Sequence, residues 1–151
     1  MAINPNTNFS VSAVYTADQA NRFPRGVMAY ATKNSNTAMT TSQADVGLSV
    51  TFTAVANRYY KYTFFAYANN STSASTNNFF LTDSANSILS TVNVYVVGGG
   101  AYTTVHFPTI RTETAGTVDR KIRCSTQAGT GTTYGDSTNL MFLLVEDIGP
   151  A

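Results

Sequence analysis

The chain has 151 residues, which suits one domain with a real core, and its nine basic and eight acidic residues leave a formal net charge of +1. That balance excludes the basic field that nucleic acid or anionic lipid would need, and a single cysteine, Cys124, excludes an internal disulfide framework. Charged residues make up 11% of the chain, well below the usual quarter, and Ser, Thr, Asn and Gly take their place. Burying a hydroxyl costs less than burying a charge, so such a surface suits contact with other protein.

The first fifteen residues are polar and extended, with Pro5 and an Asn/Thr cluster but no helical period. Their spaced apolar residues, Phe9, Val11 and Tyr15, leave three readings open: an arm that plugs into a neighbour, a strand on the domain's own sheet, or a tail without fixed structure. They show neither the basic n-region nor the apolar h-region of a signal peptide, and no run in the chain approaches membrane-spanning length. The lone thiol fits a reducing cytoplasm. Thr16, Asp18 and Gln19 carry the signals of a helix start, and Phe23-Pro24 stops it after one or two turns. The expected division is an arm over 1–25 and a body over 26–151.

Within the body, residues 27–32 read as the first strand and 33–45 as a polar loop. The stretch 48–68, LSVTFTAVANRYYKYTFFAYA, reads as a β-hairpin turning at Ala56-Asn57, since Asn tolerates the positive φ of a tight reversal. Its first strand alternates Leu48, Val50, Phe52 and Ala54 with polar residues. The second places Tyr60, Tyr62 and Phe64 on the core face and leaves Phe65 and Tyr67 over, for an interface or a covering loop. Residues 69–78 read as a low-complexity tip loop, and the sequon Asn70-Ser71-Thr72 in it as chance.

Strands follow around Phe79 to Leu81 and over 88–97. Gly98-Gly99-Gly100 reads as a hairpin turn, because a nucleotide loop would open a helix and the next residues are strand-like. Pro108 marks an edge strand or a bulge. Over 117–125, Arg120 falls on the apolar side, which calls for an acid or a sheet end. Residues 127–137 read as a Gly/Thr loop carrying Tyr134. The last strand, 139–148, is apolar on both faces, with Met141 and Leu143 assigned to a subunit interface. About eight strands with turn signals between them make an all-β fold, an antiparallel β-sandwich or jelly roll.

Chemistry is sparse. His106 is the one histidine, and no nucleophile elbow accompanies it. The acids are scattered singly, apart from Glu146-Asp147, whose side chains point to opposite faces of a strand, so neither a metal site nor a glycosidase pair is expected. The basic cluster Arg120, Lys121, Arg123 straddles two faces. The expectation is no catalysis, no cofactor, no metal and no nucleic acid. Exposed aromatics remain, and Tyr59, Phe65, Tyr67, Tyr102 and Tyr134 could stack on sugars or pack against another copy of the chain.

Four segments, in order, resemble a module of tailed-bacteriophage virion proteins: 14–21, VYTADQAN; 23–32, FPRGVMAYAT; 48–60, LSVTFTAVANRYY; and 144–150, LVEDIGP. The resemblance implies a β-sandwich in the virion, made in the host cytoplasm, with a structural or host-contacting role. Because the body follows a short arm, the implied part is a capsid decoration, a head fibre or a minor tail component. Such a subunit self-associates, with a trimer favoured. Its arm residues Phe9, Val11, Tyr15 and Phe23 anchor it to a capsid or tail protein. The alternative is a host-surface glycan-binding module, with Tyr102 and Tyr134 as its contacts.

Overall fold

The computed structural model describes residues 21, 23–72, 74–97 and 99–151. Ten strands follow in chain order: β1 Gly26–Lys33, β2 Thr37–Met39, β3 Ala44–Ala54, β4 Arg58–Asn70, β5 Ser75–Thr82, β6 Ile88–Val96, β7 Thr103–Thr112, β8 Gly116–Thr126, β9 Gly131–Tyr134 and β10 Met141–Pro150. All the pairings between them are antiparallel.

The ten strands occupy eight positions. Along one edge of β4, β10 pairs with Arg58 to Phe65 and β9 with Tyr67 to Asn70; β7 holds the other edge. β1 lies against β10 and β2 against β9. So β1/β2 and β9/β10 are two long strands, each interrupted once. The expected count of about eight agrees with this. The larger sheet runs β1/β2, β10/β9, β4, β7, and the smaller runs β3, β8, β5, β6.

The pairs nest along the chain: first position with last, second with seventh, third with sixth, fourth with fifth. That is one long hairpin rolled on itself, a jelly roll. Its tip is the turn between β5 and β6, where Asn86 takes a φ of 70° and the Asp83 carboxylate accepts the Ser87 N–H at 2.8 Å.

Rolling overturns two expected hairpins. β3 and β4 lie in different sheets, so the reversal at Asn57 (φ 59°) is an arch across the core rather than a hairpin turn. The Tyr60 hydroxyl braces it by accepting the Val55 N–H at 2.7 Å. The stretch through Gly99 and Gly100 likewise crosses from β6 in one sheet to β7 in the other. Two presumed loops also hold strands, since β2 lies within 33–45 and β9 within 127–137. The presumed loop 69–78 is mostly strand. Asn70 and Asn77 are buried there because each amide finds partners: Asn70 Nδ2 donates to Asn77 Oδ1 at 2.9 Å, and Asn77 Nδ2 to the Asn69 carbonyl at 2.9 Å.

The core fills the space between the sheets. Val46, Leu48, Val50, Phe52 and Ala54 of β3 face Tyr60, Tyr62 and Phe64 of β4, all buried. Phe52 meets Tyr60 at 5.1 Å between ring centres, and Phe64 meets Phe79 at 5.5 Å. Each such ring contributes roughly 1.5–3 kcal/mol by burial. Met141 and Leu143, assigned from sequence to a subunit interface, have no exposed surface and belong to this core. The outward side of β10 is Phe142 and Leu144. Pro108 sits on β7, the edge of the larger sheet, where a proline is tolerated.

Two buried ionic groups tie the layers. Glu113, between β7 and β8, accepts the Tyr62 hydroxyl at 2.7 Å and binds the Arg120 guanidinium, which supplies the acid that Arg120 calls for. Burial first, and then the bond to Glu113, raises the Tyr62 phenol well above its ordinary value.

At the start of β4, Arg58 grips Asp147 with two bonds, Nε to Oδ2 at 2.5 Å and Nη2 to Oδ1 at 2.7 Å; the side chains are 4% and 0% exposed. The remaining Arg58 donors reach the carbonyls of Asn21 and Phe23, and Asp147 also accepts the Gly149 N–H at 3.0 Å. The backbone at Asn21 and Phe23 is thus tied to β4 just before β1 begins. The expected contacts of Phe9, Val11 and Tyr15, and the short helical turn, lie outside the described residues.

Replacing Arg58 by Ala strands a buried carboxylate. The expected loss is about 3–5 kcal/mol in equilibrium denaturation. Arg58→Lys recovers less than half of it, since an ammonium cannot bond Asp147 and two carbonyls in one plane.

Candidate functional site

The structure separates the groups that could have made a catalytic pair. His106 is exposed on the outer face of β7, whereas Cys124 is buried on the inner face of β8 in the opposite sheet. Burial pushes the Cys124 thiol up to about 11. Among the described residues, no three His, Cys, Asp or Glu side chains gather as a metal site would require. Asn70 of the sequon is fully buried, so a folded chain does not offer it for glycosylation.

The outer faces of the two sheets differ in kind. On the smaller sheet, Lys121 and Arg123 of β8 point outward and share Asp45 of β3, at 3.3 and 3.0 Å; Arg123 also bonds the Gln43 side chain and carbonyl. Arg120 points inward, as the alternation requires. Asp119 accepts the Thr51 hydroxyl on the same outer face. This is a hydrated surface, with its charges largely neutralised in place.

The larger sheet presents aromatics instead. Phe65 stacks on Phe142 across the β4–β10 ladder, with ring centres 5.5 Å apart and planes 14° from parallel. Tyr30 of β1 continues the row beyond Phe142 at 6.0 Å. Tyr67 meets Phe65 edge-on at 5.4 Å. Tyr67 then pairs across the ladder with Tyr134 of β9, and Tyr134 lies 4.5 Å from Tyr102. Six rings therefore run diagonally over one sheet face. Pairs of this kind contribute about 0.5–1.5 kcal/mol each beyond area. Leu144, half-buried, lies beside the row, and Ile110, 56% exposed, lies beyond it on β7. The charges amid this face, Lys61 and Glu146, pair with each other at 3.3 Å.

Sequence reasoning placed Phe65 and Tyr67 on this side of β4, and both lie there, half-buried. It missed Phe142 and Tyr30. For β10 the signal was ambiguous, because both sides of the strand are apolar. Tyr59 also lies on this outer side, apart from the row. Tyr102 and Tyr134, nominated together as sugar contacts, are neighbours, with ring centres 4.5 Å apart. With Tyr67, Asp136 and Asn139 they line a recess of about 360 Å³ at the tip of the sheet.

No family model and no curated protein matches the chain. Solved structures do. The Eiger TNF of S. frugiperda superposes with a TM-score of 0.57 at 12% identity, over 84% of this chain and 96% of that one. The VP2 subviral particle of infectious bursal disease virus gives 0.44 at 12% identity, over 84% of this chain and 38% of the other. An enzymatically active domain of tailspike protein 4 from bacteriophage CBA120 gives 0.33 at 13% identity, over 80% and 19%. The chain thus spans most of the first and less than half of the two viral proteins. Likeness at such identity is likeness of fold, and the first of these, matched over nearly its whole length, shares the β-sandwich.

Cys124 and Tyr62 give the fold a defined alkaline limit. A native thiol that stays protonated while the unfolded one ionises makes stability fall with pH, from the ordinary 9.0 up to about 11. Below that window the term is fully retained. The expected slope is about 1.4 kcal/mol per pH unit, steepened above 10.0 by Tyr62. Denaturant titrations across the window check it, and Cys124→Ala removes the first part of the slope.

Proposed function

We propose that the chain is a structural subunit of a bacteriophage virion, a capsid decoration, head-fibre or minor tail component. It self-associates through the outer face of its larger sheet and docks through residues 1–25. The observation that carries this reading is the contrast between the two sheet faces. One holds its ions in water. The other sets Tyr30, Phe142 and Phe65 in a row beside the internally neutralised Lys61–Glu146 ion pair. A face of that composition suits burial against a different surface of a neighbouring copy and needs no partner charge.

A closed ring is the natural outcome, with a trimer favoured, because a repeated contact that fails to close grows into a filament. The role requires no catalysis, and its place is the particle. The four phage-like segments support the reading from a second side. Asn21, Phe23, Arg58 and Asp147 come one from each segment and meet at the junction of arm and body.

Sedimentation of the purified protein tests the association. The wild type is expected to run as a small oligomer, and Phe142→Lys as a folded monomer with an unchanged β spectrum. A wild type that stays monomeric at micromolar concentration would sink the interface. Docking is tested separately by deleting residues 2–22 and measuring incorporation into phage particles. Incorporation should fall at least tenfold, and an undiminished level would remove the arm from the account.

A further inference from the structure

The recess at the tip of the larger sheet has a makeup that the assembly role does not use. Tyr102 and Tyr134 meet at 4.5 Å with their rings inclined by 53°, which opens a V-shaped cleft. Tyr67, Asp136 and Asn139 complete its lining. The walls are fixed from behind. Asn69 Nδ2 donates to the Tyr134 hydroxyl at 2.8 Å. The Asp136 carboxylate is held by the N–H groups of Thr138 and Asn139, each at 2.7 Å. The phenols of Tyr102 and Tyr134 are themselves hydrogen-bonded, which raises the Tyr102 phenol above its ordinary value. Tyr102 remains 64% exposed, so one wall of the cleft stands open to solvent.

We propose that this recess is a binding site for a neutral saccharide. Sugar rings present apolar C–H faces to aromatic planes and hydroxyls to acceptors at their edges. The recess supplies tyrosine planes together with a carboxylate and an amide. Its volume of about 360 Å³ falls within the range of small-ligand sites, roughly 300–1,000 Å³. No cation lines it and one carboxylate does, so sialic acids, uronic acids, sulfated sugars and phosphates are disfavoured. An apolar peptide is a poorer match, since every ring here carries a hydroxyl.

The test uses the full chain on an array of neutral and acidic glycans, with hits confirmed in solution by saturation-transfer NMR. Binding to neutral glycans is expected. Tyr102→Ala, a change at an exposed wall, should weaken it about tenfold while the melting temperature stays put. Asp136→Asn should weaken it less, and Tyr134→Phe should spare the stacking surface. Phe142→Lys, outside the recess, should leave binding intact while it breaks self-association, so the two readings fail independently. Absence of any glycan signal, a preference for acidic glycans, or binding indifferent to Tyr102→Ala would overturn the site. Protection of Tyr102 from chemical modification in the oligomer would do the same, by giving the recess to a second copy.

Discussion

The Arg58–Asp147 pair is the contact on which the two ends of the body depend. Neither ion could stay buried alone, because the desolvation of each costs several kcal/mol. Together they satisfy each other through two parallel bonds, and the donors left over on Arg58 are spent on two main-chain carbonyls before β1. The direction in which the chain enters the sandwich is therefore set by a side chain on β4 and one on β10. The phage-like segments, scattered in sequence, share this one place in space. A motif set that looks like a signature of function proves at these residues to be a piece of carpentry, one that ties the backbone before β1 to β4 and β10.

Some of this was legible in the residues and some was not, for physical reasons. β3 was plain because one side of it is solvated and the other buried, so apolar residues recur at every second position. The same pattern could not say which strand β3 pairs with. An arch between sheets and a hairpin within one share the same turn residue, Asn57 with positive φ, and differ only in which way the next strand leaves. β2 and β9 were too short to show a period, and they pair mainly because β1 and β10 have already aligned them. On β10 both sides are apolar, so the inward residues could not be told from the outward ones. For that reason Met141 and Leu143, assigned to an interface, lie instead in the chain's own core.

The aromatic side of β4 was legible because Tyr60, Tyr62 and Phe64 had claimed the core, which left Phe65 and Tyr67 without a place inside. What sequence could not offer was their company. Phe142, Tyr30, Tyr134 and Tyr102 come from three other strands and a connection, and only the rolled sheet sets them in a row. The same rolling gives the smaller sheet its charges. Lys121 and Arg123 are two residues apart and so share a side with Asp45 across the ladder, whereas Arg120 turns inward to Glu113. A single basic cluster in the sequence thus divides into a hydrated pair and a buried tie.

The nested pairing also dictates an order of events as the chain leaves the ribosome. The β5–β6 hairpin can close as soon as it emerges, since its strands are neighbours in sequence. Every later pair spans a longer loop and reaches further back along the chain. The outermost pair, β1 with β10, must wait for the last strand to be made. Until then Arg58 has no carboxylate to share its site, and the carbonyls of Asn21 and Phe23 have no fixed donor. The backbone at Asn21 and Phe23 is thus tied down only on a chain translated as far as Asp147. A chain that stops short of Asp147 lacks both its outermost strand pair and the fixed entry into it.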